Sequence, residues 1–129
     1  MDKEYVMYIA KTIMEQIKAA VPEGFLCWNL QGGFLATVYK EMAALAFDVN
    51  ARLFKGRVIV AYDGGLDTYE LWLRDMDGNE KCVGTDIYCD QIGEFIDTAV
   101  EVGNDPEEYR KFLDERANEW KKAALSSLN

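Results

Sequence analysis

Carboxylates are the side chains of this sequence whose number and spacing could do chemistry. Between residues 63 and 90 they outnumber basic side chains by eight to two, which gives this stretch a charge of −6. The eight are Asp63, Asp67, Glu70, Asp75, Asp77, Glu80, Asp86 and Asp90. Such a cluster can hold a metal ion, transfer protons or attract a basic partner, and it is equally typical of a plain solvated surface.

The loop that starts at Asp75 has some similarity to a calcium-binding loop. An EF-hand loop places a glycine at its sixth position and a bidentate glutamate at its twelfth. Here Gly78 is fourth and Asp86 is twelfth. The pattern favours a hairpin turn at Asp77-Gly78-Asn79, and we predict no bound metal.

The chain has no histidine, and its three cysteines, Cys27, Cys82 and Cys89, lack Cys-x-x-Cys spacing. The absence of histidine excludes Ser-His-Asp and Cys-His nucleophile activation and histidine-ligated zinc. No catalytic residue is identified and no cofactor is expected, so the sequence favours a protein that is not an enzyme. Unpaired cysteines of this kind favour a reducing compartment, and we predict a cytoplasmic protein.

Charge and hydropathy narrow the class of partner. The net charge is −9, from 23 acidic and 14 basic residues, which disfavours binding to nucleic acid phosphates. No apolar segment reaches the roughly 18 residues that span a bilayer, so no membrane partner is predicted. We expect instead a protein partner with a basic surface, with association into a homo-oligomer as a further option.

Hydrophobic periodicity predicts the elements that must position these carboxylates. Residues 3–20 predict a helix, residues 58–62 a central strand buried on both faces, and residues 105–126 a helix capped by Asp105. We predict a single α+β domain over residues 1–129. It has an N-terminal helix, a mostly antiparallel sheet of four or five strands, and two C-terminal helices packed on the sheet, the last of them a possible addition to the core.

Two parts of the prediction concern packing and local structure. In the last helix, Trp120 is expected to be the main anchor on the sheet. Residues 25–42 are the least regular part of the sequence. There, Phe25 to Trp28 could form a short buried strand, and Lys40 to Leu45 could be either a helical turn or the start of a strand.

A three-residue turn at 77–79 would fix the register of the hairpin around it. The pairs on one face would be Leu73 with Val83, Leu71 with Thr85, and Tyr69 with Ile87. On the other face Glu70 would lie opposite Asp86, beside an exposed Trp72. Like charges at this spacing splay into water, or a cation or a partner's basic side chain bridges them. The candidate partner-binding residues are Glu70, Trp72, Asp86, Asp63 and Asp67.

Two segments resemble a pattern in small uncharacterised proteins encoded by bacteriophages and other bacterial mobile elements. An Asp-x-Tyr strand, here with Asp67 and Tyr69, is followed by a Tyr-x-Asp-x-aliphatic helix start, here with Tyr88 and Asp90. The resemblance covers about residues 14–100. It implies a bacterial or phage cytoplasmic setting and brings no established activity.

These features leave three functional hypotheses. The first is a small acidic interaction protein that binds and modulates a host or phage protein. The second is a small enzyme or ligand-binding protein that uses carboxylates, and a deep pocket lined by Glu70, Asp86 and tyrosines would favour it. The third is a structural or oligomeric accessory protein.

Overall fold

A computed structural model describes residues 1–127 and has the α+β fold predicted from the sequence. An N-terminal helix is followed by a five-stranded antiparallel sheet and by C-terminal helices packed on it. The α-helices are α1 (Lys3–Ala20), α2 (Gly24–Cys27), α3 (Ile92–Asp97) and α4 (Pro106–Ser126). The strands are β1 (Leu35–Tyr39), β2 (Met42–Asn50), β3 (Lys55–Asp63), β4 (Thr68–Asp75) and β5 (Glu80–Ile87).

The strands follow one another across the sheet in chain order, so β3 is central and β1 and β5 are the edges. Alternate residues of β3 point to opposite faces. Val58 and Val60 face the helices, while Ile59 and Ala61 face the other side, and all four are buried. The central strand predicted at residues 58–62 is therefore confirmed, with Tyr62 at its end half-buried.

The helix face of the sheet carries the main core. Helix α1 buries Val6, Ala10, Ile13 and Ile17 at the three- and four-residue spacing of one helical stripe. Helix α3 packs beside it, and Gly93 allows a close approach. A Cβ atom at Gly93 would lie only 2.8 Å from Val21 Cγ2.

The prediction of a strand at Phe25 to Trp28 is wrong. Residues Gly24–Cys27 form the single helical turn α2, which carries the fully buried Trp28 into the core. The indole N–H of Trp28 donates to Asp97 Oδ1 at 2.8 Å. The ring lies against Gly24, where a Cβ atom would come within 2.8 Å of it. A helical turn is favoured over a strand here because it brings the Trp28 indole back against the backbone of Gly24.

The structure also decides between the two alternatives for Lys40 to Leu45. Lys40 and Glu41 both have positive φ, 50° and 67°, and form a two-residue turn between Tyr39 and Met42. Positive φ at both central residues matches the type I′ turn that suits the twist of a hairpin. Residues 42 onward are thus strand β2.

The predicted register of the last hairpin is wrong except at one pair. Arg74 pairs with Glu80, so five residues rather than three form the turn. Within it, Asp75 Oδ1 accepts the N–H groups of Asp77 and Asn79, each at 2.9 Å. The remaining pairs are Leu73 with Lys81, Trp72 with Cys82, Leu71 with Gly84 and Tyr69 with Ile87, with two register shifts between them. β5 therefore carries two extra residues, and only the Tyr69–Ile87 pair is as predicted.

After α3 the chain widens into one π-helical turn, Thr98–Val102, and ends it at Gly103, whose φ is +78°. Asp105 then caps α4 by accepting the N–H groups of Glu107 and Glu108, as the sequence predicted. The expected anchoring of α4 by Trp120 is wrong, because this side chain is 72% exposed.

Within residues 1–127, no helix has the length and apolar character needed to cross a membrane.

Candidate interaction surface

The face of the sheet opposite the helices, which we call the open face, has its own buried floor. Ala44, Ala46, Ile59 and Ala61 are each at most 2% exposed. Their buried neighbours come from the sheet itself and not from a helix. Since three of the four are alanines, larger side chains from the surrounding strands can lie flat across them.

Tyr39 and Trp72 form the aromatic cover of this floor. Their ring centroids are 5.6 Å apart, and their planes meet at 61°, which is an edge-to-face arrangement. The Lys40 ammonium lies 4.8 Å from the Trp72 centroid and 5.4 Å from the Tyr39 centroid. Trp72 is thus half-buried rather than exposed, and a cation already occupies one side of it.

Two carboxylates belong to this aromatic cluster. Glu80 accepts a hydrogen bond from the Tyr39 hydroxyl and another from Arg74 Nη2 at 3.4 Å. Glu70 accepts the indole N–H of Trp72 at 3.0 Å. The hydrogen bond from Tyr39, followed by the charge of Arg74, lowers the pKa of Glu80. Burial and the bond to Glu80 raise the pKa of Tyr39 to about 12.

One end of the open face, near the β2–β3 and β4–β5 turns, is electrically balanced. Arg57 Nε donates to Asp48 Oδ1 at 2.9 Å, and Arg74 pairs with Glu80. The hydrogen bond to Asp48 raises the pKa of Arg57 further. Charges that are paired in this way contribute little field to attract a partner.

The other end, near the β1–β2 and β3–β4 turns, is acidic, and we call it the acidic end. Its carboxylates are Glu41, Asp63, Asp67, Glu70 and Asp86. The ion pairs found in residues 1–127 include none of them. The open face is therefore polarised, with balanced charges at one end and unbalanced negative charge at the other.

The turn carboxylates of the acidic end also have local structural roles. Asp63 Oδ1 accepts the N–H groups of Gly65 and Leu66 at 3.0 and 3.3 Å, which closes the β3–β4 turn. Asp67 accepts the Tyr62 hydroxyl at 2.7 Å, and this bond and burial raise the pKa of Tyr62 to about 12. Each of these carboxylates keeps a second oxygen that a partner could engage.

The structure brings the five predicted site residues to this part of the face and corrects their arrangement. Glu70 and Trp72 are in direct contact, and Asp63 and Asp67 lie in the adjoining turn. Asp86 does not sit squarely opposite Glu70, because β5 bulges between the pairs Tyr69–Ile87 and Leu71–Gly84. It is exposed there with φ of +54°.

The four residues that resemble the phage-type pattern do not form one site. Pairing of β4 with β5 brings the two motifs to neighbouring strand ends. Tyr69, however, faces the helices, is 5% exposed and donates its hydroxyl to Gln16 Oε1 at 2.5 Å. Tyr88 and Asp90 are exposed in the link to α3, and Asp67 is in the β3–β4 turn.

The structure shows features that sequence reasoning missed. Tyr39, Lys40 and Glu80 contribute as much to the open face as the predicted residues do. The alternation of small side chains at Ala44 and Ala46 in β2 is a signal that could have indicated a thin floor under large neighbours.

A cavity lies away from the predicted carboxylates, on the helix side. Its volume is about 490 Å³. Its lining consists of Leu53, Val83, Glu94, Phe95, Thr98, Ala99, Gly103 and Asn104. Neither Glu70 nor Asp86 lines it, so this cavity does not supply the carboxylate pocket that would favour an enzyme.

Metal-ligand clusters and reactive thiols are two further features that could support chemistry. Across residues 1–127, no three histidine, cysteine, aspartate or glutamate side chains are grouped so as to hold a metal ion. Burial, and then the negative charge of Glu101, raise the pKa of the Cys27 thiol. A raised pKa makes this thiol a poorer nucleophile.

Comparison of the chain with protein-family models, with curated proteins and with solved structures finds no match. The function is therefore inferred from the geometry of the open face.

Proposed function

We propose that this protein is a small interaction module that binds a basic protein surface through the acidic end of its open face. The proposal depends on one observation: carboxylates that form no ion pair within residues 1–127, Glu70 among them, lie beside the Tyr39–Trp72 aromatic pair. Charges of one sign speed the encounter with an oppositely charged partner. Large aromatic side chains are the residues that most often provide the binding energy once the partner has docked.

The Lys40 ammonium on Trp72 can be replaced by a cationic side chain of the partner. Its ammonium lies over Trp72 without an ion pair among the described residues. An arginine or lysine from the partner could take its place on the indole while bonding to Glu70, which already contacts Trp72. The partner's cation would then gain both an aromatic contact and a carboxylate.

A bacterial or phage cytoplasmic setting, which the resemblance of two segments to phage-type proteins implies, would make the partner a host or phage protein. Modulation of that partner would follow from occupancy of its basic surface. No catalytic step is needed for this role.

The experiment uses two triple variants with the same change in net charge. The test variant is Asp67→Asn, Glu70→Gln and Asp86→Asn, since asparagine tolerates the positive φ of the two aspartate positions. The control is Glu15→Gln, Glu23→Gln and Asp77→Asn, which are exposed positions outside the acidic end. Each protein is immobilised and used to capture proteins from bacterial lysate at low salt, and the captured proteins are identified by mass spectrometry.

We expect the wild type and the control to retain the same basic proteins, and the test variant to lose them. Retention by the wild type should fall steeply with added salt, because the attraction is screened over about 10 Å at 0.1 M. Equal retention by all three proteins, or no basic protein on the wild type, would refute the proposal.

A further inference from the structure

Helix α4 carries an apolar stripe that the other described residues, 1–105 and Ser127, do not cover. Its members are Leu113, Ala117, Trp120 and Ala124, separated by four, three and four residues, which is the spacing of a coiled-coil seam. Leu113 is 44% exposed and Trp120 is 72% exposed, and no residue of the helix is buried. A stripe of this kind on a 21-residue helix needs a partner.

We propose that the partner is the same helix of a second copy, packed antiparallel, so that the protein forms a two-fold symmetric dimer. In an antiparallel pair centred between residues 117 and 120, Trp120 of each copy lies opposite Ala117 of the other. Leu113 likewise lies opposite Ala124. Every layer then sets a large side chain against a small one, which fills the seam evenly.

The charges beside the stripe support the same arrangement. Asp114 and Lys121 each follow a seam residue by one position, and in antiparallel coiled coils such positions face each other across the interface. Asp114 of each copy therefore faces Lys121 of the other, and symmetry makes the pair twice. A parallel arrangement would instead set Arg116 near Lys121 and would place the two Trp120 indoles in one layer.

The attachment of α4 to the rest of the protein leaves room for this dimer. The first turns of the helix contact the loop between β2 and β3, where Tyr109 and Phe112 lie against Arg52. The stripe lies to one side of these contacts around the helix axis. An antiparallel partner places its own sheet beyond the C-terminal end of α4, whereas a parallel partner would bring both sheets to the same end.

The seam covers about two heptads, so the interface is small. Two helices that touch over about 20 Å bury less than the roughly 1,200 Å² at which stable complexes begin. We expect a dimer that dissociates in the micromolar range and is independent of the open face. Its existence is therefore testable apart from the proposed function.

The test is a charge exchange measured on the full chain by sedimentation equilibrium. In Asp114→Lys, residues 114 and 121 are both lysines, and in Lys121→Asp they are both aspartates. Two copies of either variant would therefore set like charges against each other across the seam. We expect each to weaken self-association by about tenfold or more. An equimolar mixture of the two should associate as the wild type does, because every flanking pair is again of opposite sign.

The double variant, Asp114→Lys with Lys121→Asp, should also recover association, and circular dichroism should show the same helix content in all variants. A wild type that is monomeric up to several hundred micromolar would overturn the proposal. So would single variants that associate like the wild type, or a mixture that does not associate more than its components.

Discussion

The hydroxyl of Tyr39 on β1 donates a hydrogen bond to the carboxylate of Glu80 on β5, although three strands lie between them. Adjacent strands are about 4.8 Å apart, so β1 and β5 would be roughly 19 Å apart in a flat sheet. No tyrosine side chain spans that gap. The sheet must therefore be strongly twisted, with one pair of diagonal corners bent together over the open face.

Removal of the Tyr39 hydroxyl should change how the stability of the protein depends on pH. The folded pKa of Glu80 is lowered, so its contribution to stability is present above the unfolded pKa and is lost as the pH falls through the folded pKa. The folded pKa of Tyr39 is raised to about 12, so its contribution is present below the unfolded pKa and is lost as the pH rises through 12. Tyr39→Phe should therefore lower Tm most between about pH 5 and about pH 10.

Thermal melts followed by circular dichroism across this range check the prediction. The matched control is Tyr88→Phe, because Tyr88 is 59% exposed. A Tm difference between Tyr39→Phe and the wild type that stays constant from pH 3 to pH 12 would show that the bond to Glu80 is not the cause.

A second prediction concerns the contact between α1 and α3. Alanine at Gly93 would gain about 1 kcal/mol of helix propensity. Its Cβ atom, however, would lie 2.8 Å from Val21 Cγ2 and 3.0 Å from Ala20 Cβ, which forces the two helices apart. We expect Gly93→Ala to lower the free energy of unfolding by about 1–2 kcal/mol net.

Urea denaturation measures this change, with Gly33→Ala as the control. Within residues 1–127, no atom lies within 4 Å of a Cβ atom at Gly33, so Gly33→Ala should change the free energy of unfolding by less than about 0.5 kcal/mol. A Gly93→Ala protein as stable as the wild type would mean that the helices are not held at this distance.

A third prediction compares two tryptophans. Trp28 is fully buried and bonds to Asp97, whereas Trp120 is 72% exposed. Trp28→Phe leaves a cavity and an unpaired carboxylate, and should cost about 2–4 kcal/mol. Trp120→Phe should change stability by less than about 0.5 kcal/mol at concentrations where the protein is monomeric. Comparable losses in the two melts would place Trp120 in the core after all.

A fourth prediction concerns Arg52, which joins the π-helical turn to α4. Its Nε donates to Glu101 O and its Nη2 to Val102 O, both at 2.8 Å, and its Nη1 contacts Glu108 at 3.3 Å. The guanidinium also lies 5.4 Å from the Tyr109 ring centroid. A lysine supplies a point charge and not a planar fork, so Arg52→Lys should cost about 1–3 kcal/mol.

Hydrogen exchange should locate that loss in α4, whose first turns would open more often. Arg110→Lys is the control on the same helix, because its 3.7 Å contact with Glu107 is on the surface. Faster exchange spread evenly over the whole chain would argue against a local role of Arg52.

Sequence patterns that act within a few residues predicted some helices and strands accurately. The remaining features depend on contacts between residues that are far apart in the sequence. The bounds of α1 and the cap of α4 follow from periodicity and from Asp105, which act within a few residues. The Glu70–Asp86 pairing failed because bulges in β5 depend on how the strand meets its neighbours. The stripe containing Trp120 correctly indicated an apolar face but could not show that the sheet does not cover it.

Most of the candidate site also depends on contacts between distant residues and could not be predicted from the sequence. Nothing near Tyr39 in the sequence indicates Glu80, since only the twist of the whole sheet brings them together. Glu70 and Trp72 were found because residues two apart on a strand share a face. Their neighbour Lys40 was missed because its place over Trp72 depends on the β1–β2 turn.

The two register shifts in β5 bear on how this protein behaves when concentrated. A regular edge strand offers a row of free N–H and C=O groups to which another chain can add, and this is a route to fibrils. In β5 that row is broken twice, and Glu80, Lys81 and Asp86 place charges along it. We therefore expect the irregular strand to resist the addition of another chain at this edge.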